Sequence, residues 1–296
     1  MSDEKKKTTH TSPALSLGGR GEDAAPNLEG NSKDVVYNQW MSNTMSPYPA
    51  EFLEQIEEGW KAPFSGWDFS WLKGKYTEAE PSWDYREMAR ERIAEARALL
   101  DMDTGGGELL AGLAPLPPMT WATETWEPNI PVAKARLEPL GGGVVPPADD
   151  HHLPFEDATF DLVLNRHGSF DPDELMRVLR PGGRLLTQQV GGRNQVHLNE
   201  VLQGPAYEYG NWTLEGARQG LAEAGFEILR AREEFPETQF LSIGGLVYYL
   251  RVISWQVPGF TPQAYLERLY GVYEQIRRDG RLVSHEHRFL IEARRP

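Results

Sequence analysis

From Ser82 onward the apolar positions switch repeatedly between two rhythms. Helical spacing joins Tyr85, Met88, Ala89, Ile93 and Ala96, with Ser82 placed to cap that helix. A buried strand is predicted over Ala98–Met102. Short strands follow at Thr120–Glu124, Val144–Val145, Phe160–Asn165 and Arg184–Val190. Helices are predicted between them at Asn129–Leu137, with Pro131 in the first turn, and at Asp173–Arg180, stopped by Pro181-Gly182-Gly183. Beyond these come a helix over Thr213–Ala224 closed by Gly225, a strand over Phe226–Glu233, and an apolar helix over Leu241–Trp255. An amphipathic helix over Thr261–Arg278 and a last strand over His285–Ala293 complete the chain. Strands alternating with helices imply an α/β fold, doubly wound, with a mostly parallel sheet covered on both faces.

The chain before Ser82 lacks this rhythm. Residues 1–33 are polar and aperiodic, the composition of a disordered tail. Residues 34–82 crowd Trp40, Trp60, Trp67, Trp71 and other rings among prolines and glycines. Within them Phe52, Leu53, Ile56 and Trp60 fall on one helical side. This segment reads as an aromatic N-terminal cap, either packed on the main domain or walling an active site. Residues 83–296 would form the main domain, with a helical insertion over about 236–282.

Net charge is −14, which argues against a nucleic-acid backbone as partner, since binding one needs clustered Lys and Arg. No cysteine is present, so thiolate metal sites and cysteine nucleophiles are excluded. No apolar run follows Lys5-Lys6-Lys7 and none reaches the roughly 18 residues of a membrane span. The expectation is a soluble, cytoplasmic protein.

Candidate chemistry concentrates where strand Ala98–Met102 runs into Asp103-Thr104-Gly105-Gly106-Gly107-Glu108. A strand, a turn poor in Cβ atoms and a following helix let backbone N–H groups approach a ligand. The dinucleotide fingerprint fails, because Leu110 stands where its third glycine belongs. The stretch resembles motif I of class I S-adenosylmethionine (SAM)-dependent methyltransferases, of the type 11 kind: an acid followed by G-x-G-x-G. Asp101 matches the acid, Gly105 and Gly107 match the second and third glycines, and Asp103 replaces the first. Glu124 ends the second strand, where the resemblance implies an acid accepting hydrogen bonds from the ribose. Asp149 and Asp150 before Leu153-Pro154-Phe155 resemble the stretch whose acid meets the adenine amino group. Leu175–Gly183 is similar to the helix and Pro-Gly-Gly turn before strand five. The resemblance implies a seven-stranded Rossmann-like methyltransferase fold with SAM as cofactor.

Asn165, Arg166 and His167 lie at the carboxyl end of the sheet, where ligands of open α/β folds bind. Asn165 is placed on the cofactor side. His167 is either a general base or a loop histidine, and Arg166 either holds an acidic substrate or pairs with a carboxylate. Of Gln188 and Gln189, alternation lets one face the pocket. Asp149-Asp150-His151-His152 and His285-Glu286-His287 have ligand chemistry, the latter if both histidines share a strand face. They read as polar loop and edge residues, and no metal is assigned. The function expected is methyl transfer to a small, partly apolar or aromatic acceptor. The alternatives are an RNA or protein methyltransferase, and a SAM-binding protein without turnover, which Asp103 keeps open.

Overall fold

The computed structural model describes residues 46–64, 69–146 and 152–296. The 1–33 tail, Trp40, Trp67, Asp149, Asp150 and His151 lie outside the described residues. Within them the chain forms two sheets with separate cores.

The larger sheet follows the α/β rhythm. Its strands are β2 (Ala98–Met102), β3 (Met119–Thr123), β4 (Gly142–Val145), β5 (Phe160–Arg166), β6 (Leu179–Val190), β7 (Glu227–Glu234) and β10 (Arg288–Arg294). They lie in the order β4-β3-β2-β5-β6-β10-β7, with β10 antiparallel between β6 and β7. The chain leaves β2 toward β3 on one side and later returns to β5 on the other. The crevice above β2 and β5 is therefore the topological switch point of the sheet. One face buries Leu99, Leu164, Leu186 and Leu290 beneath α2 (Tyr85–Glu95) and α4 (Ile130–Leu137). The other buries Leu100, Val163, Leu185 and Phe289 against α5 (Pro172–Val178) and α7 (Leu214–Glu223). Two short helices complete this part of the chain, α3 (Glu108–Ala111) after the glycine turn and α6 (Val196–Val201) after β6. A strand buried on both faces reads as a continuous apolar run, as β2 and β5 do.

Several boundaries differ from expectation. Asp84, not Ser82, caps α2 by accepting the Glu87 amide at 3.0 Å, while the Ser82 amide donates to Glu234 at 2.8 Å. Pro181-Gly182-Gly183 does not separate a helix from a strand. The helix stops at Val178, and β6 continues through the triplet, where the Gly182 amide donates to Arg295 O at 2.8 Å.

The second sheet was not expected. It joins β1 (Tyr76–Glu78), β8 (Glu237–Phe240) and β9 (Leu282–His285), all antiparallel. Over it lie α1 (Ala50–Lys61), α8 (Ile243–Val252) and α9 (Leu266–Asp279). The N-terminal cap and the insertion thus share one core, with Phe52, Ile56 and Leu72 packed among Leu246, Leu250 and Leu269. Helices α1 and α8 cross at glycines: a Cβ on Gly59 would stand 2.2 Å from the Gly244 carbonyl oxygen. Among the described residues no helix is long and apolar enough to cross a membrane.

Candidate active site

Asp101 lies near the end of β2 and is 4% exposed. Its Oδ2 accepts the Thr104 hydroxyl at 2.7 Å. Burial pushes its carboxyl up to about 7, against the Thr104 hydrogen bond and the nearby Arg166, which favour the ionised form. The chain then turns through left-handed conformations at Asp103 (φ 53°), Gly105 (φ 63°) and Gly107 (φ 78°). Aspartate is among the residues that tolerate this region, so the missing glycine does not destroy the turn. Two bonds pin the turn to the end of β3: Asp103 N–H donates to Thr123 Oγ1 at 3.3 Å, and Thr104 N–H to Thr123 O at 2.9 Å. Around Gly105 a Cβ would meet nothing within 4 Å, so the turn is open on that side. A Cβ on Gly168 would lie 2.4 Å from Asp103 Oδ2. The loops after β2 and β5 therefore touch.

Glu124 follows β3 and is 3% exposed. Its carboxylate accepts the Trp126 amide at 2.7 Å and further hydrogen bonds from the amides of Gly105 and Thr125 and the side chain of Asn129. Burial raises its pKa, and those hydrogen bonds oppose the rise. A carboxylate offers about four acceptor sites. Glu124 thus ties the glycine turn to the next loop, and a ligand hydroxyl would have to replace one of those donors.

Asn165 is fully buried. Its Oδ1 accepts Thr187 Oγ1 at 2.9 Å and Gln189 Nε2 at 2.6 Å, and Gln189 Nε2 also reaches Gly168 O at 3.0 Å. Asn165 and Gln189 hold the β5 loop from beneath, the Asn165 amide being engaged by Thr187, Gln189 and Ser169. Gln188 points the other way, as alternation requires. The Trp83 indole N–H can only donate, and it meets Gln188 Oε1 at 2.7 Å. Gln188 Nε2 therefore faces His167 Nε2 at 3.1 Å, which leaves His167 accepting there and carrying its proton on Nδ1. Burial, with Arg166 and Arg288 adding to it, holds the His167 pKa well below the usual value. His167 is a neutral imidazole whose free ring nitrogen is a donor. That geometry disfavours a general base and suits a hydrogen bond to an acceptor molecule.

His167 opens onto a cavity of about 640 Å³ between the sheet end and the smaller lobe. Its walls include Phe69, Leu72, Tyr76, Tyr249 and Trp255, and its polar end carries Glu78, Glu286 and Arg288. Of those three, only Glu286 stood out in the sequence, within His285-Glu286-His287, because they come from β1, the β9–β10 link and β10 and meet only on folding. The Arg166 guanidinium lies close enough to Glu78 and Arg288 to interact with both, and burial lowers its pKa. His285 and His287 do not share a strand face: the chain changes sheets at Glu286-His287. His287 instead contacts Glu233 at 2.9 Å and stacks on Phe235. Among the described residues no three His, Asp or Glu side chains assemble as metal ligands.

Residues 100–187 match the family model described as a methyltransferase domain. Over these residues the chain has the sequence pattern of a methyltransferase domain. It spans β2 through most of β6, so the turn at Asp101–Gly107, Glu124 and the His167 loop all belong to it. Among solved structures, a functionally unknown protein from Deinococcus radiodurans R1 is 12% identical, with TM-score 0.53, covering 88% of this chain and 100% of its own. A candidate methyltransferase from Bacillus halodurans C-125 is 23% identical, with TM-score 0.51, covering 71% of this chain and 98% of its own. At these identities the methyltransferase domain shares its fold with them. No curated protein matches the chain in sequence.

Proposed function

We propose that this chain is a SAM-dependent methyltransferase acting on a small, partly apolar or aromatic acceptor. The observation that carries the reading is an adjacency. The acid-and-glycine turn of Asp101, Asp103, Gly105 and Gly107 touches the His167–Gly168 loop, and that loop opens onto the aromatic cavity. A donor held on one side and an acceptor on the other would meet at the switch point of the sheet. The residues fit the group. Glu124 supplies a carboxylate beside an open glycine turn, and Asp103 supplies a second one facing the same crevice. SAM would bring a methyl group already activated on a sulfonium, so alignment and exclusion of water are the main tasks left to the protein. His167 would orient the acceptor through Nδ1–H, and the rings from the smaller lobe would exclude water. Asp149 and Asp150 remain candidates for the adenine side.

Two substitutions test the donor side. Glu124→Ala is expected to weaken SAM and S-adenosylhomocysteine by about 1–3 kcal/mol in calorimetry, through lost hydrogen bonds and a loosened Gly105 turn. Unchanged affinity would take Glu124 out of the site. Asp103→Asn keeps the left-handed turn, since asparagine also tolerates it, and removes only the charge. SAM carries a net positive charge, so this variant should bind it more weakly, and the deficit should grow at low salt. Tighter binding would mean that Asp103 opposes the cofactor, and would favour the reading of a SAM-binding protein without turnover.

A further inference from the structure

We propose that the cavity beside His167 is an amine site, in which Glu78 and Glu286 receive a protonated amino group and Glu286 takes its proton. This rests on the methyltransferase reading and names the acceptor class for it.

The polar end of the cavity holds two carboxylates and one guanidinium. Glu286 is 4% exposed, and no donor stands in hydrogen-bonding line with its Oε2, although Arg288 Nη2 is 2.5 Å away. Arg288 is already committed: its Nη1 donates to Asn194 Oδ1 at 2.8 Å, and its Nη2 lies 3.9 Å from Glu78 Oε1. Glu78 and Glu286 are within hydrogen-bonding reach of each other. The two acids thus sit side by side against Arg288, and the face of the pair toward the cavity remains open to a further donor. Of the other groups at the cavity, Tyr76 donates its hydroxyl to Glu78 Oε2 at 3.3 Å and the Tyr249 phenol is kept protonated by burial. His167 is neutral, Lys73 lines the cavity from the smaller lobe, and Arg166 lies beside its polar end.

Burial pushes Glu286 up to about 8; Arg288 opposes the rise and Glu78 adds to it. At neutral pH a proton therefore occupies the place between the two carboxylates. An ammonium fills it better, because its several N–H donors can address both carboxylates at once. Tyr76 and Tyr249, stacked on each other, both line the cavity, where aromatic rings favour a cation and apolar contact with the rest of the molecule. An anionic acceptor would meet the same two acids and find Arg288 occupied.

Binding an ammonium would expel the Glu286 proton to solvent. The N–H bond of the bound ammonium then breaks as an O–H bond forms on Glu286, and the electron pair stays on nitrogen. That pair is then available to take up a methyl group, which SAM, when bound, would supply from its sulfonium with the C–S electron pair staying on sulfur.

The test is calorimetry on the full chain with phenethylamine, 2-phenylethanol and 3-phenylpropionate, which share a ring and differ in charge. Phenethylamine should bind at least about ten-fold more tightly than either, and near pH 7 it should release a proton, read from buffers of different ionisation enthalpy. Its affinity should rise as pH approaches about 8, since the competing proton on Glu286 is then leaving. Glu286→Gln should abolish the proton release and cost about ten-fold in amine affinity. Glu78→Gln should weaken the amine as well, and it carries the test should Glu286→Gln melt below the parent. Preferential binding of 3-phenylpropionate, or amine binding without proton release, would overturn the proposal. S-adenosylhomocysteine is titrated in parallel. Its binding without amine preference ends the amine proposal and leaves the methyltransferase reading. Amine preference without it keeps the site and removes the donor.

Discussion

Removing residues 1–71 is expected to unfold the smaller lobe and abolish activity, whereas removing residues 1–33 leaves both intact. The longer deletion takes away α1, whose Phe52 and Ile56 are 0% and 2% exposed in a core shared with Leu246, Val247 and Leu250. Truncating one such side chain to alanine typically costs about 2–5 kcal/mol, and whole-domain stability is only about 5–15 kcal/mol. Losing two of them, with Leu53 beside them, exceeds what the lobe can spare. The loss also strips Arg251 of the carbonyls that hold it, Trp60 O and, at 2.5 Å, Ala62 O. Gly244 then has no helix to cross, and α8 exposes an almost wholly apolar surface. Circular dichroism and thermal denaturation of the two truncations decide the matter. Equal melting of the long truncation and the parent would make α1 an ornament on a lobe that folds without it.

The larger sheet was legible because burial on both faces writes apolar runs into β2 and β5. The turn at Asp103–Gly107 was legible because left-handed backbone selects glycine or aspartate. The smaller sheet was not. Its strands are three or four residues long, too short for alternation to register, and β1 pairs with a strand about 160 positions away. His285–Ala293 read as a single strand because no turn residue separates His285-Glu286-His287 from the apolar run Phe289-Leu290-Ile291. The break at Glu286-His287 is dictated by pairing, since β9 pairs with β8 and β10 with β6. The cap was recognised as aromatic, but its role as half of another core depends on α8, which no local pattern connects to it. The pairing of the cavity's carboxylates was invisible for the same reason: Glu286 showed only as part of His285-Glu286-His287, and Glu78 looks like any surface glutamate until β1 is laid beside β8.

Asparagine in place of Asp101 should stabilise the fold above neutral pH and weaken the cofactor. The sign follows from which state holds the proton more tightly. The carboxyl titrates near 3.8 when unfolded and near 7 in the fold, because burial penalises its charge. Its favourable contribution is therefore complete below about pH 4 and is lost as pH rises through 7. A tenfold change in proton affinity is worth about 1.4 kcal/mol, so the ionised form costs the fold at most roughly 4 kcal/mol at pH 8. Asparagine carries no charge to desolvate, and its Oδ1 still accepts the Thr104 hydroxyl. Thermal melts from pH 4 to pH 8 should show the variant close to the parent at the acid end. The gap should widen with pH and level off above about 7. A gap that stays constant across that range would mean that Asp101 keeps an ordinary carboxyl pKa despite its burial. The same buried acid beside Arg166 and Glu124 is a place where a cationic ligand relieves a cost that the fold otherwise bears. SAM affinity should accordingly fall in Asp101→Asn even as its melting temperature rises. A variant that gained stability and kept full SAM affinity would show that the charge at the end of β2 serves neither the fold nor the donor.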